Sequence, residues 1–208
     1  MTDLPRGRFI AVEGIDGSGT TLQARALAEW LGGRGHRVVE TREPTRGAIG
    51  TLIREHLRVG AAPLEPAALA LLFAADRLDH IAAEVAPALA GGAVVISDRY
   101  LLSSLAYQAL DCDEAWIREI NARAPAPDLT LVLEVPAEVA FARVQRRTAD
   151  GGAVEERFDA LALQRRIAGH YRRMREDPAL GPVRVVDGDR PPDAVTRDLV
   201  AALAGLGL

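Results

Sequence analysis

Lysine is absent: all 25 basic residues of this 208-residue chain are arginines. Any site that needs a compact ammonium charge must therefore manage with broad, planar guanidinium groups. Cysteine is almost absent too. A single Cys112 excludes an internal disulfide and suits a reducing compartment. Its neighbours Asp111 and Asp113 raise a thiol's pKa rather than lower it, which argues for a spare thiol at a helix boundary and against a nucleophile. No apolar run approaches the roughly 18 residues that would span a bilayer, and Met1 to Arg8 is polar. The expectation is a cytoplasmic protein with no membrane partner. Positive charge is not in excess, and a net charge of -4 supplies no basic field for nucleic acid, so any nucleotide partner should be small. His36, His56, His80 and His170 show no metal-ligand spacing, and no Ser/His/Asp or Cys/His set points to covalent catalysis. His80 reads as helix surface or support.

What is present is enough apolar residue, 49%, for one well-buried core, with no linker to divide residues 1–208. Short β-branched runs at Phe9 to Val12, Val38 to Val39, Ala93 to Ser97, Leu129 to Val135 and Val183 to Val186 alternate with stretches of helical spacing. That pattern predicts a three-layer α/β fold, a five-stranded parallel sheet with helices on both faces. Leu22, Ala26, Leu27, Trp30 and Leu31 share one helical face, closed by Gly32-Gly33. A second helix starts near Pro66, a third is capped by Asp113 and runs through Ile120, and Pro136 opens a fourth through Arg147. Thr148 to Glu156 reads as a mobile loop.

The first strand runs into Gly14-Ile15-Asp16-Gly17-Ser18-Gly19-Thr20-Thr21, and a helix begins at once. Glycines let such a turn curl so that successive N-H groups and the helix N-terminus face a phosphate chain. Thr21 stands where a phosphate loop places its Mg²⁺-binding hydroxyl, and Thr20 stands where it places lysine. Asp98 ends an apolar strand, either as a carboxylate on the metal side or as the N-cap of the next helix. Arg42 and Arg99 leave strand ends, where two guanidinium forks suit a phosphate dianion or pair with neighbours such as Glu43.

With Thr41-Arg42-Glu43-Pro44-Thr45, Leu72-Phe73-Ala74-Ala75-Asp76-Arg77, Asp98-Arg99-Tyr100 and Ser103-Ser104 to Tyr107-Gln108 following in order, the chain resembles the thymidylate kinases, phosphate-loop nucleoside monophosphate kinases, from Phe9 to about Asp189. Pro127-Asp128-Leu129-Thr130-Leu131 and Glu156-Arg157-Phe158-Asp159 continue the match. The resemblance implies phosphorylation of dTMP to dTDP with ATP and Mg²⁺, on the path to dTTP. It implies donor contacts from Gly14, Gly17, Ser18, Gly19, Thr20 and Thr21, and metal contacts from Thr21 and Asp98. Arg42 and Arg99 would hold the acceptor phosphate, Asp16 the sugar 3'-hydroxyl, and Tyr107 the place of a 2'-hydroxyl. Phe73 would stack on thymine, with Arg77, Ser104 and Gln108 at its polar edge; the alternative for Phe73 is plain core packing. A lid at about 143–157 would bring Arg147 and Arg157 to the transferred group and offset the missing lysine. Asp189 and Arg190 resemble the loop around the donor adenine, or are simply a turn after the last strand. A homodimer is the family expectation. Because Thr20 lacks the charge, a nucleotide-binding protein with little turnover is the alternative.

Overall fold

The computed structural model describes residues 7–150 and 158–208. Strands β1 (Arg8–Gly14), β2 (Val38–Arg42), β3 (Val94–Asp98), β4 (Leu129–Glu134) and β5 (Val183–Asp187) form one parallel sheet in the order β2-β3-β1-β4-β5. The helices are α1 (Thr20–Gly32), α2 (Ala48–Leu57), α3 (Pro66–His80), α4 (Ala86–Ala90), α5 (Leu101–Tyr107), α6 (Glu114–Ile120), α7 (Ala137–Ala149), α8 (Leu161–Met174) and α9 (Pro192–Ala202). Each expected strand is there. β2 is longer than its two valines indicate, because pairing with β3 continues through Thr41 and Arg42 although their side chains are polar.

Side-chain alternation along β1 sets the layers. Ile10 and Val12 enter a core shared with Ala24, Leu27 and Leu31 of α1 and Val195 and Leu199 of α9. Phe9 and Ala11 enter the opposite core, with Val85 and Ala88 around α4. Beside it, α5 and α8 pack through Leu102, Leu105, Ile167 and Tyr171, and α2, α3 and α6 pack outside them through Ile53, Leu69 and Ile117.

The helix ends follow local chemistry. Pro66 occupies the first turn of α3, where the Glu65 carboxylate accepts from the Ala68 amide. Asp113 caps α6 by accepting from the Trp116 amide at 3.0 Å. One boundary differs from expectation: α7 continues two residues past Arg147 and takes in Thr148 and Ala149. Its inner stripe of Ala137, Ala140 and Val144 is extended by half-buried Thr148, which keeps the last turn attached. The remainder of the expected lid, 151–157, including Arg157, lies outside the described residues. Among the described residues no helix is long and apolar enough to cross a membrane. The carboxyl ends of all five strands lie along one edge of the sheet, and the site is built there.

Candidate active site

Between β1 and α1 the chain curls through Gly17, at φ 84°, and Gly19, at φ 96°. A Cβ on Gly17 would come within 2.3 Å of the Ala140 carbonyl, so α7 packs too closely for any larger residue. Gly19 is the N-cap of α1 and has no side chain to cap that helix. Its first amides and partial positive charge are left for an anion. They border a cavity of about 780 Å³, whose lining includes Asp16, Gly17, Gly19, Thr20 and Thr21. Thr20, 6% exposed, brings a hydroxyl and no charge to this edge. Gly14 closes β1, and Ser18 turns its hydroxyl into the protein, so neither lines the cavity.

Thr21 Oγ1 donates to Asp98 Oδ2 at 2.5 Å, while Asp98 Oδ1 is buried without a hydrogen-bond partner among the described residues. Among the described residues no three His, Cys, Asp or Glu side chains gather as a metal cage. One carboxylate, one hydroxyl and an adjoining phosphate cradle fit Mg²⁺, a hard cation that keeps several of its waters.

Arg99 is the one non-glycine with positive φ, 71°, among the described residues. Its Nη1 donates to the Gly14 carbonyl at 2.9 Å and to Ser103 Oγ at 3.2 Å, and its Nη2 to Asp16 Oδ1 at 2.5 Å. Burial disfavours the charged guanidinium, but Tyr107, Asp16 and Tyr171 outweigh it and hold the pKa well above the usual arginine value. The Tyr107 hydroxyl donates to Asp16 Oδ2 at 3.0 Å, and burial pushes its own pKa well up, so it stays a neutral donor.

On α3, Phe73 is half-buried against the core and also lines the cavity, so packing and ligand contact are not exclusive there. Arg77, one turn on, is 1% exposed and spends all five N-H donors: two on Glu43 Oε2, and one each on Ser104 Oγ, Asn121 Oδ1 and the Tyr100 carbonyl. It reaches the cavity wall with every proton already shared. Ser104 accepts from Arg77 and so keeps its own proton for another acceptor. Gln108 Oε1 is buried at the cavity without a hydrogen-bond partner among the described residues. Arg42 is exposed, lines the cavity and has no ion-pair partner among the described residues.

From α7, Arg143 and Arg147 both line the cavity; Arg147 is exposed, and Arg143 also donates to the Gly188 carbonyl and Asp189 Oδ1. Arg190 pairs with Asp198 at 2.5 Å, and neither Asp189 nor Arg190 lines the cavity.

The sequence pattern of the family described as Thymidylate kinase matches residues 12–198. The chain belongs to the thymidylate kinase family. It is 41% identical over 201 residues to a probable thymidylate kinase of Pyrococcus abyssi, with 94% of this chain and 95% of that protein covered. It is 42% identical over 208 residues to a thymidylate kinase of Cereibacter sphaeroides, covering 96% and 95%. A probable thymidylate kinase of Pyrococcus horikoshii is 43% identical over 176 residues, covering 82% and 84%.

Within this thymidylate kinase fold, four site-shaping residues escaped the motif reading. Glu43 sits inside a quoted motif but reads as an ion-pair partner on the surface; it is 3% exposed and holds Arg77. Asn121, also in contact with Arg77, lies in no motif and gives no sequence signal. Gln164 of α8 donates to the Phe158 carbonyl at 3.0 Å and points Nε2 at Asp16. Glu13, the residue before the phosphate loop, is fully buried; a charged residue closing an apolar strand was the available signal.

Proposed function

We propose that this protein transfers the γ-phosphoryl group of ATP to dTMP, giving dTDP and ADP on the way to dTTP. The observation that carries the reading is one cavity bordered by the uncapped start of α1, by Arg42 and Arg99, and by Phe73, Ser104 and Gln108. It therefore has a cationic centre between an anion-binding loop and a flat, hydrogen-bonding pocket. An acceptor-phosphate oxygen attacks the γ-phosphorus, and the bond to the bridging oxygen of ADP breaks. The attacking phosphate oxygen is already ionised, and the leaving oxygen takes the bonding pair onto ADP, so the protein positions and neutralises rather than abstracting a proton.

The amides of Gly17 and Gly19 grip the donor phosphates. Thr21 and Asp98 would hold Mg²⁺, which when bound neutralises charge on the donor phosphates. On the acceptor side Asp16 and Arg99 form a pair that dTMP exchanges: the sugar hydroxyl donates to Asp16, and the phosphate accepts from Arg99 and Arg42. Arg99 keeps its bonds to Gly14 and Ser103 during that exchange and so stays aimed. Tyr107 closes the sugar pocket, Phe73 stacks on the base, and Ser104 and Gln108 meet its polar edge beside Arg77. Arg147, with Arg157 by family expectation, brings the charge that Thr20 lacks. The family expectation also places the enzyme in the cytoplasm as a homodimer.

Comparing dTMP, dUMP, dCMP and dGMP as acceptors with saturating Mg-ATP tests the reading. dTMP should give the highest kcat/KM. Preference for a purine, or for dCMP, would end the thymidylate assignment.

A further inference from the structure

The stretch from Thr41 to Thr45 meets α3 with every second residue. Thr41 Oγ1 lies 2.7 Å from His80 Nε2; Glu43 accepts from Arg77 and, at Oε1, sits 3.1 Å from His80 Nδ1; Thr45 donates its amide and its hydroxyl to Asp76 at 2.7 and 2.6 Å. Arg42 and Pro44, between them, line the cavity; Glu43 also borders it, with its carboxylate held by Arg77 and His80. β2 runs through Arg42 and alternates its side chains across its axis, so a grip on Thr41 and on Glu43 just past the strand end, both on the helix side, aims residue 42 at the cavity.

His80 is the part of this grip that the reaction leaves unused. Its ring is 3% exposed and does not line the cavity. Glu43 is an acceptor only, which places a ring proton on Nδ1. Arg77 takes Oε2 twice, so it alone would leave the carboxylate free to swing about that oxygen. His80 fixes the other oxygen, and Arg54 anchors the next residue from outside by donating to the Pro44 carbonyl at 2.8 Å.

We infer that His80 is a positioning residue for the acceptor phosphate: through Glu43 it holds the 41–45 strip so that Arg42 points into the cavity. This rests on Arg42 being a phosphate ligand of dTMP. Asparagine puts an amide nitrogen near the place of Nδ1 and keeps the Glu43 contact, whereas glutamine puts one near Nε2, beside Thr41 and Glu84, and loses Glu43.

Calorimetric titrations of His80→Asn and His80→Gln with dTMP and with thymidine, which has no phosphate, separate the roles. His80→Gln should weaken dTMP about 10-fold, the size of one lost charge-assisted hydrogen bond, and thymidine less than about threefold. His80→Asn should stay within about threefold of wild type for both ligands. In an Arg42→Ala background, His80→Gln should cost nothing further for dTMP. Equal weakening of dTMP and thymidine, equal loss in the two variants, or additivity with Arg42→Ala would overturn the inference. A wild type that binds dTMP no more tightly than thymidine would remove the phosphate role of Arg42 itself and this inference with it, a failure visible before any substitution is made.

Discussion

Two oxygens of Glu13 satisfy four donors. Oε1 accepts from the amides of Tyr100 and Ser103 at 2.9 and 3.1 Å, and Oε2 from the hydroxyls of Ser103 and Tyr171 at 2.6 and 2.9 Å. A side chain on β1 thereby caps α5, whose own N-cap residue, Tyr100, makes no side-chain cap bond. It also fixes Ser103, and through Ser103 the guanidinium of Arg99. Burial drives the Glu13 pKa up, and the Ser103 hydroxyl, the charge of Arg99 and the Tyr171 hydroxyl pull it only part of the way back. The folded chain therefore holds a proton there more tightly than the unfolded chain. That preference is complete below the unfolded value of 4.5 and is lost as pH rises through the folded value. Denaturant unfolding across pH should show the stability of wild type minus that of Glu13→Gln shrinking as pH rises above 4.5. A difference that is flat or grows with pH would contradict the assignment. Cys112 shows how far residue-scale reading goes. Its thiol is pushed up as expected, but burial leads, Glu65 joins Asp111, and Asp113 spends its carboxylate on the α6 cap.

At the scale of elements, α2 and α3 clamp the acceptor strip from two sides. A Cβ on Gly50 of α2 would lie 2.0 Å from the Thr45 carbonyl oxygen and 2.6 Å from its amide nitrogen. Gly50→Ala must then push α2 or the strip aside. It should lower stability by about 1–3 kcal/mol and raise KM for dTMP more than KM for ATP, read by thermal unfolding and steady-state kinetics. Unchanged KM for dTMP would show that the strip is not under this clamp.

Elements were the most legible level of the sequence. Five strands, the helix start at Pro66 and the cap at Asp113 follow from alternation and local chemistry, which are short-range and written in adjacent residues. The end of α7 was misplaced because Gly151-Gly152 marked a break, whereas contact with the core carries the helix to Ala149. The site residues of the motifs were legible as a set; their saturation was not. Arg77 places its five N-H donors on four acceptor atoms from four residues spread from Glu43 to Asn121, and nothing in the local sequence announces such a network. His80 looked like helix surface or support; it is buried support, because β2 ends beside it.

Across the whole molecule, a chain without lysine brings eight of its 25 arginines to one cavity at the sheet edge. Arg42 comes from β2, Arg99 from the end of β3, Arg143 and Arg147 from α7, Arg25 from α1, Arg54 from α2 and Arg77 from α3, so six separate elements bring guanidinium groups to one cavity. Thr20 adds none, and the start of α1 offers amides. Steady-state dTDP formation from dTMP and Mg-ATP, wild type beside Thr20→Lys, tests whether that is sufficient. If guanidinium groups and amides together replace the ammonium, the wild type turns over and the lysine variant gains less than about tenfold. Absence of wild-type turnover while dTMP still binds, or a gain on the order of 10²- to 10³-fold on restoring lysine, would contradict it.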